Sequence, residues 1–270
     1  MSKFADRLAL HTWTLDTTPL SETLAVVGSA GWNAVELRWV DFTRLIGQGK
    51  SNEDVLALVR ASGVKVAVMG TEYGLIFATG PERDRLLGSL EQTCANAVAL
   101  GCEMIMIAPG QNEGPLSLAA ANLRAGGEVA QRHGVRLALE FNSAHKVLNK
   151  LAVARDVIAA ANHRHAGLLL DAYHLERSGD GGRGFADVSP AEIFTFQYSD
   201  VPGGPQSTER RPTDRLAPGR GIVRWREVFQ LLAAKGYAGY LSYEAPNPAE
   251  WARPPLEVAR EALDATRRFL

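Results

Sequence analysis

The chain has 270 residues, of which 46% are hydrophobic and 22% charged, with a net charge of −1. That balance suits one large α/β domain spanning 1–270 and excludes a disordered chain. Near-neutral charge gives no footprint for nucleic acid or an anionic membrane. No apolar run reaches the ~18 residues of a membrane span and no leader precedes the first element, so a soluble, cytoplasmic protein is expected.

Strand and helix signals alternate along the whole chain. Strands are expected at 8–14, 33–39, 64–70 and 103–110, then at 135–141, 167–174, 193–200 and 240–247. Their near-continuous apolar runs are those of parallel strands buried on both faces. Between them, Thr18-Pro19 reads as a helix start and Gly31 as its stop. Ser51 to Asp54 reads as a capping box, with Gly63 closing that helix. Ser189-Pro190 is a further start. Helices are expected from Arg224 to Lys235 and from Pro255 to Leu270. Eight β-α repeats argue for a closed (β/α)₈ TIM barrel over an open sheet. Cys94 and Cys102 make no disulfide framework and read as reduced, semi-buried thiols.

The last four strands each end in an oxygen-bearing side chain: Glu140, Asp171, Gln197 and Glu244. In a barrel, the C-terminal strand ends converge on one pocket. A carboxylate there often caps the following helix. Four at one level make an oxygen cage for a hard or borderline divalent ion, because carboxylates packed together repel unless a cation neutralises them. His174, three residues after Asp171, is a candidate proton shuttle or substrate partner. His11 and Trp13, at the end of the first strand, suit the face of a polyol; a core histidine is the equal alternative. Glu36 and Glu72 are weaker pocket candidates. The segment 201–221 follows strand seven and reads as a lid. Within it Arg215 is a candidate substrate clamp, with Asp200 as its partner or as a support for the pocket; Arg210, Arg211 and Arg220 read as solvated.

Five motifs, L-x-L-E (137–140), L-L-D-A-Y-H (169–174), F-Q-Y-S-D-V-P (196–202), R-L-A-P-G-x-G (215–221) and G-Y-x-G-Y-L-S-Y-E (236–244), carry a resemblance. With them the chain resembles the xylose-isomerase-like barrel superfamily, in its sugar phosphate isomerase/epimerase group, from end to end. The resemblance implies one divalent metal on Glu140, Asp171, Gln197 and Glu244. It also implies an acid/base pair, Glu140 and Glu244, with His174 beside them. Many members of that family have His where this chain has Gln197, which shifts the expected ion from Zn²⁺ towards Mn²⁺, Mg²⁺ or Co²⁺. Dehydratases of the superfamily place His where this chain has Asn142 and Lys where it has Ser199. The expected activity is therefore isomerisation or epimerisation of a sugar, keto-polyol or related hydroxy-ketone through an enediolate. A lyase using the same metal site is the alternative, and a non-catalytic sugar-binding barrel is the alternative from another class. A related apurinic endonuclease needs further ligands from strands two to four, which the strand ends at 38–39, 70–71 and 108–110 do not supply. The expected partner is a small-molecule substrate, with a homodimer compatible with the resemblance.

Overall fold

The computed structural model describes residues 4–204 and 212–270. Eight parallel strands close into a barrel in chain order: β1 Leu8–His11, β2 Ala34–Leu37, β3 Lys65–Gly70, β4 Met104–Ile107, β5 Arg136–Glu140, β6 Ala166–Asp171, β7 Ile193–Tyr198 and β8 Leu241–Tyr243. β1 completes the ring by pairing with both β2 and β8. The strands are shorter than the apolar runs suggest. Residues such as Trp13, Tyr173 and Asp200 lie beyond the last rung, in the connections that form the upper rim.

Side-chain alternation decides what the barrel contains. Leu137 and Leu139 of β5 pack outward under the helices, whereas Ala138 belongs to the inner cluster. The period of two then turns Glu140 inward as well. The same parity holds for Leu169 and Asp171 on β6, with Leu168 and Leu170 outside. It holds for Ala34 and Glu36 on β2, and for Ala9 and His11 on β1. The interior is narrow because alanines and a few larger residues, Met104, Met106 and Leu169 among them, fill it; the polar residues form one layer above them. β3 and β4 present Val68 and Met106 instead, so this arc of the wall is apolar.

Helix punctuation follows the sequence with small offsets. The first helix runs Leu20–Ala30, with Pro19 in the cap position rather than Thr18, and it stops at Gly31 in the left-handed region (φ 89). Ser51 and Asp54 form the expected capping box at the start of Asn52–Ala61. Ser189 opens only a single 3₁₀ turn, Pro190–Glu192, because β7 begins at the next residue. The late helices run Trp225–Ala234 and Pro255–Arg267. Cys94 and Cys102 are free and buried. Among the described residues no helix is long and apolar enough to cross a membrane.

Candidate active site

The polar layer is built from both ends of the chain. Asp171 ends β6, and a helix, Ala172–Ser178, starts at once. Its Oδ1 accepts from the Tyr173 amide at 2.9 Å and caps that helix. Its Oδ2 accepts from Arg215 Nη1 at 2.7 Å. One carboxylate thus serves as both helix cap and site group.

Arg215 is not a surface clamp. It is 2% exposed, and its Nη1 lies 2.9 Å from Glu244 Oε2 as well as against Asp171. Its guanidinium sits 4.4 Å from the centre of the Tyr173 ring. Burial disfavours its charge, yet Asp171, Glu244 and Glu140 hold it above its ordinary pKa.

The chain reaches this position because residues after the rim fold back. Asp200 and Leu216 make an antiparallel bridge, with backbone hydrogen bonds of 2.7 and 3.0 Å. The Asp200 carboxylate does not support the pocket, nor does it pair with Arg215. Its Oδ1 accepts from the Val201 and Val223 amides, and its Oδ2 from the Gly219 amide and Trp225 Nε1. It anchors the returning segment, which corrects its expected role in substrate binding. Of the segment expected as a lid, the part from Pro212 onward carries Arg215 to a buried position, tied down by the Asp200–Leu216 bridge. Arg210 and Arg211 lie outside the described residues.

Gln197 and Glu36 meet across the barrel. Gln197 Nε2 donates to Glu36 Oε1 at 2.8 Å, although β7 and β2 are not neighbours in the sheet. Burial, reinforced by Glu244 and Asp171, pushes the Glu36 carboxyl up to about 8. His11 lies beside this pair, with Nε2 at 3.8 Å from Glu36 Oε1 and 3.3 Å from Glu244 Oε1. Its Nδ1 accepts from the Trp13 amide at 3.0 Å, so its hydrogen is on Nε2 and faces the carboxylates. His11 is thus 1% exposed and braces Glu244 from behind, whereas Trp13 faces the cavity. Glu72 is on the rim, paired with Arg85.

The cavity above this layer has a volume of about 310 Å³. Glu140, His174, Arg215 and Glu244 form its floor and one wall. The facing wall carries Trp13, Tyr73, Gln111, Asn112 and Asn142. Apart from Trp13, sequence reasoning did not place these as binding groups. Their signal was available, since they follow β1, β3, β4 and β5 at the same end of the barrel. The connections carrying Tyr73 and Gln111 touch: a Cβ on Gly110 (φ 71) would come within 2.8 Å of Gly74 Cα, so only glycine fits there.

Glu140, Asp171 and His174 bring one potential ligand atom each within 4.8 Å of one another. Burial, with Glu244 and Asp171 nearby, holds the Glu140 carboxyl well above the usual carboxylate range. Glu140 Oε1 and Gln197 Oε1 are buried and have no hydrogen-bond partner among the described residues. Orphaned oxygens in a layer of crowded carboxylates fit the chemistry of a divalent-cation site. His174 fits a different role. Ser143 N donates to its Nδ1 at 3.2 Å, while Arg215 Nη2, which can only donate, lies 3.3 Å from Nε2, and Glu140 Oε1 lies 3.8 Å from that same nitrogen. Burial pushes its pKa down to about 3, with Asp171 opposing and Arg215 adding to the shift. A neutral imidazole in contact with Arg215 is a hydrogen-bonding group facing the cavity.

The chain is 27% identical over 140 residues to an inosose isomerase of Halalkalibacterium halodurans, covering 52% of this chain and 49% of that one. It is 28% identical over 259 residues to a 3-dehydroshikimate dehydratase of Pseudomonas aeruginosa, covering 93% of this chain and 39% of that one. It therefore spans half or less of these two relatives. A putative hydroxypyruvate isomerase of Streptomyces coelicolor is 26% identical over 254 residues, with 84% and 85% covered. The crystal structure of the IolI protein with a bound zinc atom superposes with a TM-score of 0.83 at 18% identity, over 97% and 96% of the two chains. Residues 24–269 match the family described as xylose isomerase-like TIM barrel. The chain belongs to that family.

Proposed function

We propose that this protein is a divalent-metal-dependent isomerase or epimerase of a small polyhydroxy ketone. The observation that carries the reading is the pair of orphaned oxygens, Glu140 Oε1 and Gln197 Oε1, in a buried carboxylate layer beneath an open cavity. Glu140, Asp171, Gln197 and Glu244 would hold the ion, which when bound would polarise the substrate carbonyl and stabilise negative charge on its oxygens. Oxygen donors alone favour Mn²⁺, Mg²⁺ or Co²⁺, and the zinc in IolI keeps Zn²⁺ in the set.

The protein's own groups account for the rest of the reaction. Glu140 and Glu244 project from different strands into the cavity, so a substrate carbon between them has a carboxylate on each side. One removes the proton next to the carbonyl, giving an enediolate. The other returns a proton to the neighbouring carbon for isomerisation, or to the opposite face of the same carbon for epimerisation. Neutral His174 lines the cavity beside Glu140 and is placed to share a hydrogen bond with a substrate oxygen. Arg215 keeps Glu244 oriented through Nη1. Trp13 and Tyr73 supply the flat faces that pack against C–H groups of a polyol. The homodimer remains part of the proposal.

Dehydration is the second reading, favoured by the match of 93% of this chain to a dehydratase. It begins with the same proton abstraction and ends in loss of a β-hydroxyl. Ser199, where dehydratases place Lys, is buried with Oγ 3.4 Å from Arg215 Nη1 and supplies no acid for the leaving group.

The test is incubation with Mn²⁺ and a panel of ketohexoses, inososes, hydroxypyruvate and 3-dehydroshikimate in deuterated water. Isomerase or epimerase activity gives deuterium next to the carbonyl in a product of unchanged formula. Loss of one water would establish the dehydratase. A metal-loaded protein that labels none of the panel defeats the proposal.

A further inference from the structure

Gln197 presents a problem that the carboxylates do not. An amide has one oxygen and one nitrogen, and only the oxygen can take a metal; with the amide reversed the ligand is lost. Something must select between the two orientations. The contact that does so comes from Glu36, 161 residues away in sequence and on the far side of two intervening strands.

Glu36 is fully buried, and so is Gln197. The 2.8 Å contact runs from Gln197 Nε2 to Glu36 Oε1. Reversing the amide would set its oxygen against a carboxylate oxygen at hydrogen-bond distance, an acceptor facing an acceptor between two fully buried side chains. His11 Nε2 lies 3.8 Å from the same Glu36 Oε1, beyond hydrogen-bond reach, and 3.3 Å from Glu244 Oε1. Glu36 Oε2 makes no hydrogen bond among the described residues, with the Ser242 hydroxyl near the carboxyl. The consequence is visible at the other end of the amide, where Gln197 Oε1 is left without a protein partner.

We propose that Glu36 is a positioning residue that locks the Gln197 amide with its oxygen toward the metal site. The inference rests on the metal reading for what the oxygen binds, but not for the lock itself. Partners behind metal ligands commonly change affinity by about 10- to 100-fold when removed.

The test separates orientation from charge. Glu36→Gln removes the ionisable carboxyl, and with it any charge, and keeps an oxygen that can accept from Gln197. Glu36→Leu removes both. In the Glu36→Leu background, Gln197→Glu makes the ligand symmetric, so that no orientation has to be chosen. Mn²⁺ affinity is measured by calorimetry on metal-stripped protein. The expected order is wild type, then Glu36→Gln within about threefold, then Glu36→Leu weaker by about tenfold or more, with Gln197→Glu recovering most of that loss. In parallel, amide resonances of the Gln197 side chain are followed in metal-free protein, where they exchange slowly in the wild type and quickly in Glu36→Leu. Circular dichroism melting confirms that each variant folds. Glu36→Leu binding Mn²⁺ as tightly as the wild type overturns the proposal. So does Glu36→Gln weakened as much as Glu36→Leu, which would make charge the cause. Wild type that binds no Mn²⁺ defeats the metal reading alone. The lock is then judged by the amide exchange, and unchanged exchange in Glu36→Leu refutes it.

Discussion

Arg215 concentrates the electrostatics of the site in one side chain. Its Nη1 is within 2.9 Å of both Asp171 and Glu244, and all three groups are buried. Removing one partner of a buried ion pair leaves the others uncompensated, at a cost of about 3–5 kcal/mol. Arg215→Ala is therefore expected to lower stability by that order in urea denaturation of metal-free protein. Added Mn²⁺ should recover part of the loss, since a cation again faces the carboxylates. An Arg215→Ala protein as stable as the wild type would show that the guanidinium is not the counter-ion. Glu244→Gln keeps the size and an oxygen donor but not the base. Turnover should fall by ~10²- to 10⁴-fold, the usual contribution of a placed acid–base group. Metal should remain partly bound, which calorimetry checks; near-normal turnover would take Glu244 out of the proton transfer.

The connection after β7 makes a comparable case at the level of elements. Asp200 accepts four hydrogen bonds from groups at Val201, Gly219, Val223 and Trp225, and so closes the return of the chain toward Arg215. In Asp200→Asn, one oxygen can still serve two amides, but the new NH₂ faces the Gly219 and Trp225 donors. Unfolding free energy should drop by about 2–3 kcal/mol, with a changed Trp225 fluorescence. KM should rise, because Arg215 is held by the same turn. An unaltered KM would separate the anchor from the site.

What the sequence discloses also differs by element. The strands and their order were legible, because buried parallel strands are unbroken apolar runs and each helix carries a cap or a glycine stop. The inward-facing ends Glu140, Asp171, Gln197 and Glu244 were legible through the same runs. Arg215 was not. Its neighbours Pro218, Gly219 and Gly221 read as an exposed turn, whereas they fold it under the rim through contacts with Asp200. The Glu36–Gln197 contact was hidden for another reason: it joins strands that neither follow each other nor pair, and only closure of the barrel brings them together.

At the level of the whole molecule, the barrel divides into a polar arc from β5 through β8 to β2 and an apolar arc at β3 and β4. The polar arc crowds buried carboxylates, and on the proposed reading a bound ion would relieve their repulsion. A ligand at 100 times its Kd adds about 2.7 kcal/mol to the native state. Mn²⁺ or Co²⁺ should accordingly raise the melting temperature of the wild type and leave that of Asp171→Ala unmoved. Absence of any shift in the wild type at millimolar ion would remove the metal from the account.

The apolar arc matters through the crossing of Gly74 and Gly110, where two rim connections touch backbone to backbone. Tyr73 and Gln111 flank that crossing and form the wall opposite the carboxylates. Neither connection can be lengthened, or given a side chain at the crossing, without displacing the other. For anyone redirecting this barrel to a new compound, residues 73–74 and 110–112 are a single exchangeable cassette, to be transplanted as a matched pair.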